Sequence, residues 1–195
     1  MAQPQHGPLA GLKVIELSHI MAGPACGMLL ADLGADVIKV EKYPDGDDSR
    51  RMVPPKVDGE SAAYMILNRN KRGTAINLKS EAGRAILRRM LATADVVLEN
   101  FRPGTMEKLG LGYDSLCAAN PGLIYCQLTG FGTTFPYADR AGFYLFLQGM
   151  SGLMSLTGEG PGRPPVKIGV PITDMTAGIL GAVAILAAYV HRLKT

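Results

Sequence analysis

Residues 12–41 read LKVIELSHIMAGPACGMLLADLGADVIKVE. Residues 12–17 are a short apolar-rich run after Gly11 and predict a strand. Residues 18–24 form a turn, and Pro24 suits the first turn of a helix, where its missing N–H leaves no bond unmade. Residues 25–33 have helical composition and stop at Gly34, a natural C-terminal cap. Residues 35–41 predict a second strand. Strand, helix and strand within about 30 residues is the size of a βαβ unit, and such units build parallel sheets.

The same alternation continues outward. Residues 43–59 are polar and rich in Pro and Gly, which predicts a long loop. A short helix is expected over 61–68 and a strand over 74–78. Ser80 is placed to cap a helix over 81–94, with Ile86, Leu87, Met90 and Leu91 as its buried stripe. Residues 95–99 predict a buried strand, 113–119 a helix ended by Asn120-Pro121-Gly122, and 123–128 another strand. Residues 130–140 read as a loop, 143–156 as an apolar helix and 159–171 as a loop. Asp174 is expected to open a last long helix. The fold class is therefore α/β, Rossmann-like, with a mainly parallel sheet and flanking helices. No internal repeat is evident.

The chain has 195 residues, 47% hydrophobic and 19% charged, which suits one sizeable domain and argues against disorder. A net charge of +3 with no Lys/Arg run beyond two residues argues against a nucleic-acid surface. Three cysteines without metal-type spacing read as reduced thiols of a cytoplasmic protein, and no metal site is expected. The opening residues show no basic segment followed by an apolar one, so no signal peptide is visible. The most apolar run, 175–190, contains Gly178 and Gly181 and falls short of the ~18–20 residues of a membrane span. It is expected to be a buried core helix. Residues 191–195 end without a terminal cap or tail, which predicts a chain cut from something longer.

Several residues invite a chemical reading beside a plain one. Asp174 at a helix start is either a cap favoured by the helix dipole or a carboxylate nucleophile in a cleft. The turn holding His19 follows the first strand, where open α/β sheets bind ligands. It lacks GxGxxG, which disfavours a dinucleotide. Residues 68–72, NRNKR, are a solvated loop or a phosphate contact. Residues 99–104, ENFRPG, offer an amide, an aromatic face and a cation at a strand end, or simply a turn with a buried Phe. Asp139-Arg140 and the acidic residues 45–48 are read as surface loops. No zinc, Ser-His-Asp or P-loop signature is present.

Taken in order, these segments resemble one family. Residues 8–50, PLAGLKVIELSHIMAGPACGMLLADLGADVIKVEKYPDGDDSR, are similar to the opening of the family III CoA-transferases, also called the CaiB/BaiF family. NRNKRGTAINLKSEAGR, ADVVLENFRPGTMEKLGLGYDSL, NPGLIYCQLTGFG and YADRAGFYLFLQGMSGLMSLTGEGPGRPPVKIGVPITDMTAG continue the match. The resemblance implies a Rossmann-like large domain, a smaller second domain and an interlocked homodimer. Residues 1–195 would then be the amino-terminal part of the large CoA-binding domain, without the small domain and the C-terminal return.

The resemblance further implies transfer of coenzyme A from an acyl-CoA donor to a carboxylic acid, with Asp174 as nucleophile and an aspartyl-CoA intermediate. Coenzyme A would touch His19, Ile20, Met21 and Ala22. Lys42 would face its adenine and phosphate end, with Ile76 and Lys79 beside the adenine. Asn100, Phe101 and Arg102 would line the pantetheine path, and Lys108 would meet a phosphate. Met21 stands where some members carry Gln, which counts against oxalate-like substrates. Lys42 and Lys108 stand where Arg is common; Lys keeps the charge and loses the bidentate fork. Racemases of the family use a His in an Ala-Gly-His segment; here it is Ala141-Gly142-Phe143, so a racemase is the lesser alternative. A third is a non-catalytic fragment that binds CoA or a partner chain. Neither nucleic acid nor membrane is an expected partner. The 195 residues alone are expected to be inactive.

Overall fold

A computed structural model describes residues 6–134 and 136–195. Residues 1–5, part of the opening read for a leader, and Phe135, within the predicted loop 130–140, lie outside the described residues. In chain order the elements are β1 (Lys13–Glu16), α1 (Ala22–Asp32), β2 (Asp36–Lys42), a 3-10 turn (Asp48–Arg51), β3 (Lys56–Val57), β4 (Glu60–Ser61), α2 (Ala62–Asn68), β5 (Arg72–Ile76), α3 (Glu81–Leu91), β6 (Val96–Glu99), α4 (Thr105–Lys108), α5 (Tyr113–Ala119), β7 (Ile124–Gln127), α6 (Tyr144–Met150), α7 (Leu153–Leu156) and α8 (Ile172–Arg192).

Five strands form one parallel sheet in the order β5-β2-β1-β6-β7. Strands buried on both faces must be apolar on both, and alternate residues divide accordingly. Val14, Val37, Val96 and Leu98 point into one core with Cys26 and Leu30 of α1 and Ile185 of α8. Ile15, Val40 and Val97 point into the other, with Leu87 and Leu91 of α3 and Leu116 of α5. Each fully buried Leu or Val is worth roughly 1.5–3 kcal/mol. The chain leaves β1 toward β2 on one side and returns on the other side as β6. That reversal opens a crevice beyond the carboxyl ends of β1 and β6.

Local chemistry accounts for most boundaries. The Ser80 hydroxyl accepts the Gly83 N–H at 3.0 Å and caps α3. Ser61 does the same for Tyr64 at the start of α2. Gly34, past the end of α1, takes φ of 98°, which a side chain would resist.

Several expectations need correction. Ile86 is 49% exposed rather than part of the buried stripe of α3; Gly83 shares that face with Leu87 and Leu91. The predicted helix 143–156 breaks into α6 and α7 at Gly152, whose φ is 80°. Residues 43–59 are not one loop: they hold the 3-10 turn and part of the β3–β4 hairpin. Helix α8 spans 21 residues, long and apolar enough by length and composition to cross a membrane. Its glycines do not shorten it, because Gly178 and Gly181 face α1 and β7 neighbours, where a Cβ would crowd Ala22, Ala25 and Leu128. Nor is it a wholly buried core helix: Ile179, Leu180, Val183 and Val190 are exposed.

Candidate functional site

The crevice at the strand ends is a cavity of about 910 Å³. Its floor is the turn after β1, residues His19 to Ala22, and the segment after β6, Asn100 to Pro103. Leu128 to Gly130 after β7 and Arg140 to Tyr144 before α6 form the far side. The first turn of α8 closes it with Pro171, Thr173, Asp174 and Ala177. Gly130 and Gly142 meet in that wall so closely that a Cβ on either would lie 2.5 Å from the other's Cα.

Asp174 is in place by helix packing. Gly178, one turn onward, lets α8 approach α1 so closely that a Cβ there would sit 2.8 Å from the Ala22 carbonyl oxygen. Asp174 is not the N-cap the sequence suggested. The helix starts at Ile172 with Pro171 as cap, and Asp174 lies inside the first turn. A proline at the boundary and two further helical residues displace the capping role. Asp174 is half-buried and forms no ion pair among the described residues. Burial pushes its carboxyl above the ordinary value, opposed by the Thr173 hydroxyl, 3.4 Å from Oδ2. The amino end of α8 favours the anion.

The floor is fixed by side chains. The Asn100 Oδ1 accepts the His19 N–H at 2.7 Å and its Nδ2 donates to the His19 carbonyl at 2.9 Å. The His19 ring lies against Phe101, with centroids 5.0 Å apart, and burial lowers its pKa. Beneath Phe101, Glu99 is fully buried and accepts the Phe101 N–H at 2.7 Å. It forms no ion pair among the described residues, and burial pushes its pKa up to about 7.

His19, Ile20, Met21, Ala22, Asn100, Phe101, Arg102 and Asp174 are thus gathered on one cavity. Lys42, Ile76, Lys79 and Lys108 do not line it. Lys42 ends β2 and pairs with Asp48 at 2.8 Å. Ile76 ends β5 with its side chain in the second core. Lys79 and Lys108 are exposed, after β5 and at the end of α4.

Two charged segments differ from their surface reading. Lys71 is a buried partner of Glu16 at 2.8 Å, while Arg69 and Arg72 pair with Asp32 and Asp36. Residues 68–72 are therefore neither a free loop nor an open phosphate site, because acids from α1, β1 and β2 consume the charge. Asp47, in the acidic stretch, is fully buried against Lys39 at 2.8 Å. Arg140 and Tyr144 line the cavity although neither stood out in the sequence as a site residue. A signal for the buried network was available: Glu16 and Lys39 are charged residues within strands that the α/β pattern buries on both faces. Among the described residues no group of three or more His, Cys, Asp or Glu is placed to hold a metal.

An open parallel α/β sheet with a ligand-sized crevice at its switch point, bordered by Asp174, defines the doubly wound class. Comparison with known proteins makes this specific. A match to CoA-transferase family III runs over residues 9–195, and the chain belongs to that family. It is 50% identical over 194 residues to the succinate–glutarate CoA-transferase of Agrobacterium fabrum, covering 96% of this chain and 48% of that protein. It is 43% identical over 188 residues to the human succinyl-CoA:glutarate CoA-transferase, covering 96% and 43%. A solved CaiB/BaiF family protein from Brucella suis superposes with a TM-score of 0.92 at 51% identity, covering 97% of this chain and 51% of that one. The chain spans about half the length of the curated relatives it matches.

Proposed function

We propose that the whole protein moves coenzyme A between dicarboxylic acids through a covalent intermediate on Asp174. The observation that carries this reading is the half-buried Asp174 carboxylate at the amino end of α8, over a cavity floored by the loops after β1 and β6; the cavity's other carboxylate, Asp48, is paired with Lys42 and Arg51. The substrate class is supported by relatives named for succinate, glutarate and D-citramalate.

The chemistry follows from the carboxylate. An Asp174 oxygen attacks the thioester carbonyl; the C–S bond breaks, and CoA leaves as thiolate with a mixed anhydride behind it. The thiolate attacks the aspartyl carbonyl and releases the donor acid, giving an aspartyl-CoA thioester. The acceptor carboxylate attacks that thioester, expelling thiolate again. The thiolate then takes the acceptor carbonyl, forming the new acyl-CoA and freeing Asp174. Both anhydrides and the thioester hydrolyse readily, so water must be excluded. Phe101, Phe143 and Leu147 supply apolar walls for that purpose. Met21 and Ala22 lie beside the acyl end, and Arg102 faces the pantetheine path. In the same reading Lys42 faces the adenine and phosphate end, Ile76 and Lys79 flank the adenine, and Lys108 meets a phosphate.

The exposed apolar face of α8 is covered by the rest of the protein in an interlocked homodimer, rather than by lipid. In this reading residues 1–195 are the amino-terminal part of the large domain, the enzyme is cytoplasmic, and the isolated 195 residues do not turn over. The test is conversion of succinyl-CoA and glutarate into glutaryl-CoA and succinate by the whole protein, followed by chromatography of the thioesters. Normal turnover by the 195-residue chain alone contradicts the need for further sequence. Absence of any transfer by the whole protein with dicarboxylic acids contradicts the function.

A further inference from the structure

The backbone of Ile20 stands in the left-handed region, with φ of 67°. For a β-branched residue this is a strained conformation that persists only where its surroundings enforce it. Ile20 lies in the cavity floor and is 37% exposed. What enforces its backbone comes from behind the floor. The Ile20 N–H points to both carboxylate oxygens of Asp47, at 3.2 and 3.3 Å. The Asp47 carboxylate is fully buried and itself held on three sides. Lys39 Nζ stands 2.8 Å from Oδ2, and the Ser49 N–H and hydroxyl donate to Oδ1 at 2.9 and 2.8 Å. Lys39 also donates to the Ser18 carbonyl at 2.9 Å, two residues before Ile20, and pairs with Glu16.

The turn is therefore gripped at consecutive residues: Ser18 by Lys39, His19 by Asn100 and Ile20 by Asp47. Lys39 and Asn100 bond ordinary backbone. Asp47 bonds the strained residue, and it belongs to a loop 27 residues away in sequence.

We propose that Asp47 is a positioning residue for the transfer site: its buried carboxylate pins the Ile20 backbone in the left-handed conformation and so sets the cavity floor against which the acyl-CoA is presented to Asp174. This rests on the proposed transferase reading. Asp47 touches no substrate; it acts through the Ile20 N–H. An errant floor misplaces the thioester relative to the nucleophile, and misplacement of about 1 Å costs on the order of 100-fold in rate.

The test uses the whole protein with Asp47→Asn, Ile20→Gly and the pair together. Asparagine keeps the shape and one acceptor oxygen but removes the charge and one of the two oxygens facing the Ile20 N–H, leaving Glu16 as the one carboxylate paired with Lys39. Glycine adopts the left-handed region without strain. The expected result is a fall in kcat of about 10–100-fold for Asp47→Asn with KM for acyl-CoA changed less than about threefold. In the Ile20→Gly background the same substitution costs less than about threefold, since there is little strain left to hold. A crystal structure of the Asp47→Asn protein is expected to show Ile20 with φ below zero. Equal losses in both backgrounds, or Ile20 still near its present φ in that crystal, overturn the inference. The crystal readout does not depend on enzymology, so failure of positioning and failure of the transferase reading are told apart.

Discussion

Asn100 grips His19 by both of its backbone polar groups, accepting its N–H at 2.7 Å and donating to its carbonyl at 2.9 Å. One side chain thereby joins the two loops on either side of the switch point, 81 residues apart in sequence. Only a side-chain amide offers a donor and an acceptor in that geometry. Asn100→Asp removes the donor and leaves the His19 carbonyl unpaired. It is expected to lower stability by about 1–3 kcal/mol, read by urea unfolding, and to reduce transferase turnover at least tenfold. Wild-type stability and turnover in this variant would show that the clamp is incidental.

Gly27, in α1, faces the charged end of β1. A Cβ there would lie 1.9 Å from Glu16 Oε2 and 3.3 Å from Lys71 Nζ. Glu16 is fully buried between Lys39 and Lys71, at 3.1 and 2.8 Å. Gly27→Ala must push that carboxylate off its partners, and breaking a buried pair costs about 3–5 kcal/mol. The melting temperature should fall by well over 5 °C. A fall of a degree or less would mean that the network can shift without loss.

Much of this was legible in the sequence, and the rest was hidden for identifiable reasons. The β1–α1–β2 unit is written locally, in an apolar strand, a proline in the first helical turn and Gly34, and its boundaries fall within three residues of where those signals put them. So do Ser80 as a cap and the gathering of His19 to Ala22 with Asn100 to Arg102, because topology alone brings strand ends together. Asp47 reads as surface in the sequence because its partner, Lys39, sits on another element, and pairing across the fold leaves no local pattern. Ile86 was misjudged because a helical stripe defines a face but not its width. Helix α8 looked shorter than it is because glycine reads as a breaker, whereas Gly178 is required by the close approach of α1.

That approach supplies a further prediction. Gly178→Ala places a methyl 2.8 Å from both the Ala22 carbonyl oxygen and the Ala25 Cβ. Helix α8 must slide or tilt away from α1, at about 1–3 kcal/mol, and Asp174 lies one turn upstream. Turnover should fall more than tenfold in a protein that remains folded by circular dichroism. Full activity would show that the placement of Asp174 does not depend on this contact.

Glu99 carries a pH signature. Its ordinary value is 4.5, and burial raises it to about 7 in the folded chain. The folded state therefore holds the proton more tightly than the unfolded state. Its contribution to stability is fully present below about pH 4.5 and is lost as pH rises through about 7. Glu99→Gln keeps an acceptor for the Phe101 N–H and removes the titration. The variant should be more stable than the parent at pH 8, by roughly 2 kcal/mol, and equal to it at pH 4. Urea midpoints across that range decide the matter; parallel curves for the two proteins would remove Glu99 as the source.

The most direct test of the whole account is the mass of the peptide carrying Asp174 after the whole protein is mixed with succinyl-CoA and quenched in acid. The account predicts a CoA-sized increase on that peptide, located at Asp174, lost on adding glutarate and absent from Asp174→Ala. Active transfer with an unmodified Asp174 peptide, or with the adduct on another residue, would contradict it.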